Sequence, residues 1–173
     1  TVENVLLRSV NTALDSVLVA GSVAPVFDGF APLATAFTST TYVSIVDAIS
    51  EGVATMQVAG FAPDLVALNP ADWLALNVAK GTDGQYLSGS YLAKLSQEVR
   101  GLRVVISPSV TAGKALLMDS AHSELAIVDS FSVEIGTDGN DFTKNLATML
   151  GEIRVIPIFR TTGSARLITP KAA

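Results

Sequence analysis

Leu65-Val66-Ala67-Leu68-Asn69-Pro70-Ala71-Asp72-Trp73 is the stretch that decides how this chain folds. Its four leading apolar residues predict a short strand, and the residues after them carry the signals of a helix start. Asn69 is suited to cap that helix, Pro70 fits its first turn, and Asp72 favours the positive end of its dipole. The stretch therefore predicts a strand that runs straight into a helix bearing the only tryptophan.

The composition is that of a folded and apolar chain of 173 residues, of which 49% are hydrophobic and 16% charged. This length suits one domain, or one domain with an extension. The apolar balance indicates surface that is buried against partners. A well-packed domain rich in alanine and valine is the alternative explanation.

Charge and residue types exclude several function classes. The net charge is −5 and the basic residues are scattered, which argues against a nucleic-acid-binding face. The absence of cysteine excludes disulfides, thiolate metal sites and cysteine nucleophiles. No apolar run approaches the roughly 20 residues that span a bilayer, and no signal peptide is evident. Helical periodicity is already under way at Val2, so we expect Thr1 to follow an upstream part of a longer protein.

The pattern along the chain predicts a mixed α+β fold. A first helix is predicted from Val2 to about Ala20, and an irregular connection over Ser22–Thr41 with one helical turn at Pro32–Phe37. Further helices are predicted at Tyr42–Val58, Pro70–Ala79 and Tyr91–Val99, with a helical turn at Asp141–Lys144. Strands are predicted at Leu65–Leu68, Leu102–Ile106, Ala115–Met118, Glu124–Val128, Ser132–Ile135, Leu146–Arg160 and Ala165–Thr169. A helix over Leu146–Ile153 is an alternative on spacing alone.

The sequence holds no convincing catalytic or cofactor motif. His122 is the only histidine, no neighbour in sequence orders it, and a Ser–His–Asp arrangement through Ser120 or Ser123 lacks the Gly-x-Ser-x-Gly elbow. We therefore expect His122 on a surface loop. Gly113-Lys114 is not a phosphate-binding loop, because Ala115 stands where serine or threonine is required.

Carboxylate groupings are the remaining candidates for chemistry. Asp47 and Glu51 lie one helical turn apart, as a cation site or an acid–base pair would require, but a solvated helix face explains them better. Glu134, Asp138 and Asp141 lack the ordered spacing of a calcium loop and are expected to form a charged rim at a subunit contact. We predict no catalytic residue, no metal site and no cofactor.

Three motifs in order carry a resemblance to a known family. Residues 65–73 are followed by Gly81-Thr82-Asp83-Gly84-Gln85-Tyr86 and later by Asp141-Phe142-Thr143-Lys144-Asn145-Leu146-Ala147-Thr148-Met149-Leu150-Gly151-Glu152. This set resembles the C-terminal half of the major capsid protein of tailed bacteriophages and prophages, which has the Hong Kong 97-type shell fold. The resemblance implies that residues 1–41 are the end of the spine helix and a connecting segment of the peripheral domain. It implies that residues 42–136 are the axial domain and residues 137–173 the closing strands of the peripheral domain.

The same resemblance implies which parts make contacts between subunits. The turn Lys80–Ser90 is expected to project toward the capsomer centre, with Asp83 and Tyr86 as subunit contacts. Asn145 and Glu152 align with the asparagine and glutamate of the founding member's covalent crosslink. The lysine of that crosslink lies on an extended loop which, like the family's N-terminal arm, would precede Thr1. We therefore expect both residues to be inactive in crosslinking, with Asn145 serving as a turn residue.

The implied function is that of a structural subunit that assembles into the pentamers and hexamers of an icosahedral capsid. Its partners would be copies of itself and other virion proteins, with no specific nucleic-acid sequence and no membrane. Its place would be the virion, and the host cytoplasm during assembly. Two alternatives are an encapsulin-type compartment shell, and a small α+β enzyme or ligand-binding domain that uses Asp47, Glu51 or Asp141. We expect this chain alone to form monomers or small rings, without a closed shell.

Overall fold

The computed structural model describes residues 2–21, 28–87, 97–137 and 139–172. Its elements in chain order are helix α1 (Val2–Ala20), the short helix α2 (Phe30–Leu33), strand β1 (Thr35–Thr38), α3 (Ile45–Val58), β2 (Leu65–Leu68), α4 (Pro70–Val78), β3 (Glu98–Val99), β4 (Leu102–Ile106), β5 (Ala115–Met118), a 3₁₀ helix (Ser120–His122), β6 (Ser123–Gly136), the short helix α5 (Asp141–Lys144), β7 (Thr148–Phe159) and β8 (Ala165–Thr169). The strands form a six-stranded mixed sheet in the order β1-β8-β5-β2-β4-β3 and a two-stranded sheet of β6 and β7.

The junction of β2 and α4 follows the local chemistry of its sequence. Asn69 is the N-cap, and its Oδ1 accepts a hydrogen bond of 2.9 Å from the amide of Ala71. Its Nδ2 also donates to the carbonyl oxygen of Val110 at 2.7 Å. The Oδ2 of Asp72 accepts from the amide of Gly113 at 2.8 Å. The capping residues therefore also tie the helix start to the loop that leads into β5.

Successive residues of a strand point to opposite faces of the sheet. In the six-stranded sheet apolar residues occur on both faces, and other elements cover each face. One set packs against Ala48, Ile49 and Met56 of α3 and forms the larger core with Val66, Leu68, Leu102, Val104, Ala115, Leu117 and Ile168. Trp73 is partly buried against this core. The other set, Ala67 and Leu116 with Leu167, packs on the opposite side with Val110, Val19 and Phe30.

The sheet of β6 and β7, named the ribbon here, is a long antiparallel pair that runs from Ser123 opposite Phe159 to Gly136 opposite Thr148. Its register shifts between Ile127 and Asp129, and again between Asp129 and Ser132. Two separate strands were expected over this part of β6. That prediction is wrong, because the bulges interrupt the alternation of residues without ending the strand. The helical alternative for residues 146–153 is also wrong.

Three other predictions need correction. The second helix begins at Ile45 and not at Tyr42, because the hydroxyl of Ser39 accepts from the amides of Thr41 and Tyr42 and closes a bend there. The connection after α1 contains α2 and β1, where one helical turn was expected at 32–37; residues 22–27 lie outside the described part. The helix expected at 91–99 does not include Glu98 and Val99, since both pair with β4; residues 91–96 lie outside the described part.

The last strand lies in the six-stranded sheet and not in the ribbon. Ala165–Thr169 was grouped with the closing strands of residues 137–173. In the structure β8 is parallel to β1 and antiparallel to β5, so it belongs to the sheet that residues 42–136 largely build. The apolar residues Leu167 and Ile168 explain this, because each completes one of the two core clusters. The division of the chain at residues 41 and 136 stays a prediction.

Candidate intersubunit surfaces

The ribbon leaves many large apolar side chains exposed. They are Leu125, Ile127, Val128, Ile135, Met149, Leu150, Ile156 and Ile158. Ile127 is 61% exposed and Ile135 is 67% exposed. The strand pairing places Leu125 and Ile127 on one face of the ribbon and Ile156 and Ile158 on the other, so both faces carry exposed apolar residues. Exposed apolar residues in this number on a folded chain mark a surface for association. The sequence signal for the strands was visible, but the exposure of these residues depends on the ribbon having few neighbours to cover it.

Ion pairs run along the same ribbon. Arg154 contacts Asp129 at 3.3 Å and Glu152 at 3.6 Å, and Arg160 pairs with Glu124. All five side chains are exposed, so the pairs contribute little to stability. Charges beside apolar residues on a docking surface instead determine which partner and which register are accepted.

The turn after α4 is a small hairpin that is closed by backbone hydrogen bonds. The amide of Gly81 donates to the carbonyl oxygen of Gln85 at 2.8 Å, and Lys80 forms an antiparallel bridge with Tyr86. The Nζ of Lys80 lies 4.7 Å from the centre of the Tyr86 ring. Asp83 is exposed at the tip and accepts from the amide of Gln85 at 3.3 Å. Residues 88–90 of the predicted turn lie outside the described part.

The two positions aligned with the family's crosslink have local roles in the structure. Asn145 has a φ of 53° and directly follows α5. The amide of Leu146 donates to the carbonyl oxygen of Asp141 at 2.9 Å, which is the closing bond of a helix that ends in a left-handed residue. Glu152 lies on the ribbon beside Arg154. The backbone of Asn145 has the conformation of a turn residue, and the expectation that Asn145 and Glu152 form no crosslink stays a prediction.

The link between β5 and the ribbon contains a polar cluster that the sequence did not predict. Asp119 is 3% exposed, and its carboxylate accepts from the amides of Ala62 and Ala121, both at 3.0 Å. The Nδ1 of His122 lies 3.1 Å from Asp119 Oδ2, and the imidazole meets the ring of Phe61 edge-on. The expectation that nothing near in sequence orders His122 is wrong. A carboxylate three residues earlier is the signal that would have revealed it.

Burial alone would raise the pKa of Asp119, because a buried carboxylate loses its hydration. The hydrogen bonds from the amides of Ala62 and Ala121 and the contact with His122 outweigh this, so the pKa lies below its ordinary value of 3.8. The serines of the suggested triad are engaged elsewhere. Ser120 Oγ donates to Asp64 at 2.6 Å and Ser123 Oγ to the carbonyl oxygen of Asp119 at 3.0 Å.

The carboxylates named as alternatives for chemistry are engaged within the chain. Asp47 lies 3.6 Å from Arg100, Glu51 accepts from Ser39 Oγ at 2.5 Å, and Asp141 accepts from Thr148 Oγ1 at 2.5 Å. The described residues contain no group of three histidine, aspartate or glutamate side chains placed to hold a metal ion. Asp138, part of the predicted charged rim, lies outside them.

A cleft of about 510 Å³ lies between α4 and the β3–β4 hairpin, and its described lining includes Trp73, Leu76 and Val99. Glu98 and Arg100 are its charged lining residues among those described.

The segment rejected as a phosphate loop has a structural role, because the amide of Gly113 donates to Asp72. No helix within the described ranges combines the length and the apolar character needed to cross a bilayer. The described lining of the cleft does not bring several carboxylates together in an apolar pocket.

The model of the phage capsid family matches residues 1–155 of the chain. The chain belongs to the phage capsid family. No curated protein sequence matches it significantly.

Solved structures match this capsid-family chain closely in fold. The capsid of an empty GTA particle has a TM-score of 0.76 at 16% identity and matches 99% of the chain. Structures of Gordonia phage Cozz and Microbacterium phage Oxtober96 have TM-scores of 0.74 and 0.75 at 15% and 17% identity, and match 96% and 95% of it. The α+β fold of the Hong Kong 97 type, predicted from the motif order, is confirmed. The chain spans 65%, 61% and 62% of these three chains, which is less than two thirds of their length.

Proposed function

We propose that this chain is the body of the shell subunit of a phage, prophage or GTA-type capsid, and that its role is structural. The family match over residues 1–155 carries the proposal. The exposed apolar side chains of the ribbon support it, because they would be buried between neighbouring copies. The chain then works through its shape and its contacts, and no residue has to perform chemistry.

Copies of the chain are the first partner in this proposal, arranged as pentamers and hexamers, and other virion proteins attach to the assembled shell. The place of action is the virion, after assembly in the host cytoplasm. The net charge of −5 supports a shell that does not bind DNA tightly, since tight phosphate binding needs clustered cations. The proposal includes no specific nucleic-acid sequence. No membrane is required.

The alternatives from the sequence are not favoured. The matched family is that of phage capsids, and the structures compared above come from phages and a GTA particle, so an encapsulin-type compartment is the weaker hypothesis. An enzyme using Asp47, Glu51 or Asp141 is weaker still, because each carboxylate has a partner within the chain. Capsid families are structural and are not normally enzymes.

Substitutions on the ribbon test the proposal. Replacing Ile127 and Ile135 by serine removes two exposed side chains and should abolish concentration-dependent association, measured by sedimentation velocity, without lowering the free energy of unfolding. Val58, which is 91% exposed at the end of α3, provides the matched control, and Val58→Ser should leave association unchanged. Equal association of both variants would show that the ribbon is not the interface.

A further inference from the structure

The ribbon turns one face to the rest of the molecule and the other to solvent. On the first face the ring of Phe159 lies 5.2 Å from the ring of Phe30, and Pro157 is buried. Because successive residues of a strand point to opposite faces, the alternate residues of β7 belong to the solvent side, and they are exposed. This side is named the open face here and consists of Glu152, Arg154, Ile156, Ile158 and Arg160 with Glu124, Ala126, Asp129 and Ser132 of β6.

The edges of the ribbon are poorly suited to the addition of a further strand. The register of β6 shifts between Ile127 and Asp129 and again between Asp129 and Ser132, and such bulges disrupt the ladder of hydrogen bonds. Pro157 of β7 has no backbone N–H to donate. Bulges and prolines are features by which proteins protect exposed strands from edge-to-edge pairing. We therefore expect a partner to pack on a face of the ribbon.

Charge is divided between the two strands of the open face. Two ion pairs cross it, with the carboxylates of Glu124 and Asp129 on β6 and the guanidinium groups of Arg160 and Arg154 on β7. All four side chains are exposed and so remain accessible to the charges of a partner. Glu152 of β7 also contacts Arg154, at 3.6 Å, and lies toward the tip of the ribbon. Over the length of the two ion pairs the face is acidic along β6 and basic along β7.

The stretch between the two ion pairs is apolar and uneven in size. Ile156 of β7 lies directly opposite Ala126 of β6, and Ile158 follows on β7. Ile156 is 49% exposed and Ile158 is 38% exposed, whereas alanine leaves room beside them. A second ribbon laid over this face with its β7 above β6 would place each Ile156 against the other copy's Ala126. Large residues set against small ones allow two layers to interdigitate.

We propose that the open face binds the open face of a second copy of this chain, about a two-fold axis that runs along the ribbon. This rotation lays β6 of each copy over β7 of the other, so that each carboxylate of the ion pairs also faces an arginine of the partner. A two-fold axis across the strands would instead set Arg154 against Arg160 and Asp129 against Glu124, which like charges disfavour. A two-fold contact needs a surface that is complementary to itself, and this face is so in charge and in size.

The inference rests on the self-assembly proposed above and names one contact within it. A ring is built from head-to-tail contacts, whereas this contact is two-fold, so it joins copies that belong to separate rings. The opposite face of the ribbon, with Ile127 and Ile135, stays available for contacts within a ring.

Single-cysteine variants test the alignment directly, because the chain has no native cysteine. Ala126→Cys and Ile156→Cys are mixed and treated with a bismaleimide that spans about 10 Å, the usual distance between facing sheets. Mass spectrometry of the peptides should find residue 126 of one copy linked to residue 156 of another. Leu150→Cys, mixed with Ala126→Cys, is the matched control. Leu150 is 55% exposed on the same face, but it lies about 20 Å further along β7 and should give about a tenth of the linked product.

Exchanging one ion pair tests whether charge aligns the two copies. Glu124→Arg together with Arg160→Glu reverses the pair but keeps it within the chain. The link between residues 126 and 156 should form equally when both copies are exchanged or both are not. It should fall at least about tenfold when only one copy is exchanged, because carboxylates then face carboxylates and arginines face arginines.

Three results would overturn the proposal. They are equal linkage through Leu150→Cys and Ile156→Cys, linkage that does not change when only one copy is exchanged, and rings that form without any link between residues 126 and 156. The last result would leave the proposed function intact, since the rings themselves would show self-assembly through another surface.

Discussion

Gly151 of β7 lies directly beneath Leu6 of α1, and a Cβ atom at this position would stand 3.1 Å from both Cγ and Cδ2 of Leu6. It would also stand 3.3 Å from Cε2 of Phe131 on β6. Both distances are shorter than ordinary van der Waals contact. The absence of a side chain therefore lets the helix and Phe131 pack closely over the middle of the ribbon.

Gly151→Val should separate α1 from the ribbon. The added methyl groups meet Leu6 and Phe131, and overpacking of this kind costs about 1–3 kcal/mol. We expect a lower free energy of unfolding in urea and faster hydrogen exchange in α1 than in the six-stranded sheet. Gly136→Val is the control on the same ribbon, because a Cβ there would have no neighbour within 4 Å. Equal effects of the two changes would exclude a special packing role for Gly151.

Asn69→Ala should destabilise the junction of β2 and α4. The change removes both the cap on the amide of Ala71 and the bond to the carbonyl oxygen of Val110, with an expected cost of about 1–3 kcal/mol. Asn69→Ser keeps a capping oxygen but is too short to bridge to Val110. The difference between the two variants in urea unfolding then measures the cap alone, and a serine variant as unstable as the alanine variant would contradict a role for the cap.

Local signals explain why this junction was predictable from sequence. The strand at 65–68 and the helix that starts at Pro70 depend on neighbours in the chain, and both occur as predicted. The motif order also indicated the family and the fold correctly. The match over residues 1–155 includes all three motifs that carried the resemblance.

Non-local pairing explains the failures. Thr35–Thr38 is short and half polar, and it becomes a strand because β8 pairs with it. Glu98 and Val99 continue a helical spacing, yet they pair with Arg103 and Leu102. The exposure of the ribbon and the packing of Phe61 against His122 depend on contacts between residues far apart in sequence. No sequence motif indicates the cluster around Asp119.

Asp119→Asn should lower the free energy of unfolding at neutral pH. It should also make this free energy vary less as the pH falls into the acid range. The folded-state pKa of Asp119 lies below its ordinary value of 3.8, so its ionised form stabilises the native state. This contribution is complete above the unfolded-state pKa and is lost as the pH falls through the lower folded-state pKa. We expect a cost of about 1–3 kcal/mol near pH 7 from the amides left poorly bonded.

Urea unfolding between about pH 2 and pH 7 checks this prediction. The difference between the wild type and Asp119→Asn should be constant at the upper end and shrink as the pH drops below the ordinary value of 3.8. Asp129→Asn, which changes an exposed ribbon carboxylate, should cost less than about 1 kcal/mol at any pH. A difference for Asp119 that does not vary with pH would contradict its assigned ionisation.

Replacing Asp83 and Tyr86 by serine should reduce capsomer formation and leave folding intact. Asp83 is exposed at the hairpin tip, and the hairpin is closed by backbone bonds that serine preserves. We expect an association constant about tenfold lower, equivalent to 1.4 kcal/mol, with an unchanged urea midpoint. Asp47→Ser, which removes a carboxylate from α3, is the control. Unaltered assembly rates and yields of the double variant would mean that this turn does not face the capsomer centre.

The particle distribution of the purified 173-residue chain tests the central claim most directly. Sedimentation velocity up to about 1 mM, with electron microscopy of the same samples, should show monomers giving way to pentameric and hexameric rings as the concentration rises. Closed shells should be absent, because we expect the contacts of this chain alone to fall at the weak end of the roughly 1,200–2,000 Å² that stable interfaces bury. Monomers or small rings agree with the account, and uniform closed particles would contradict the expected weakness of its contacts.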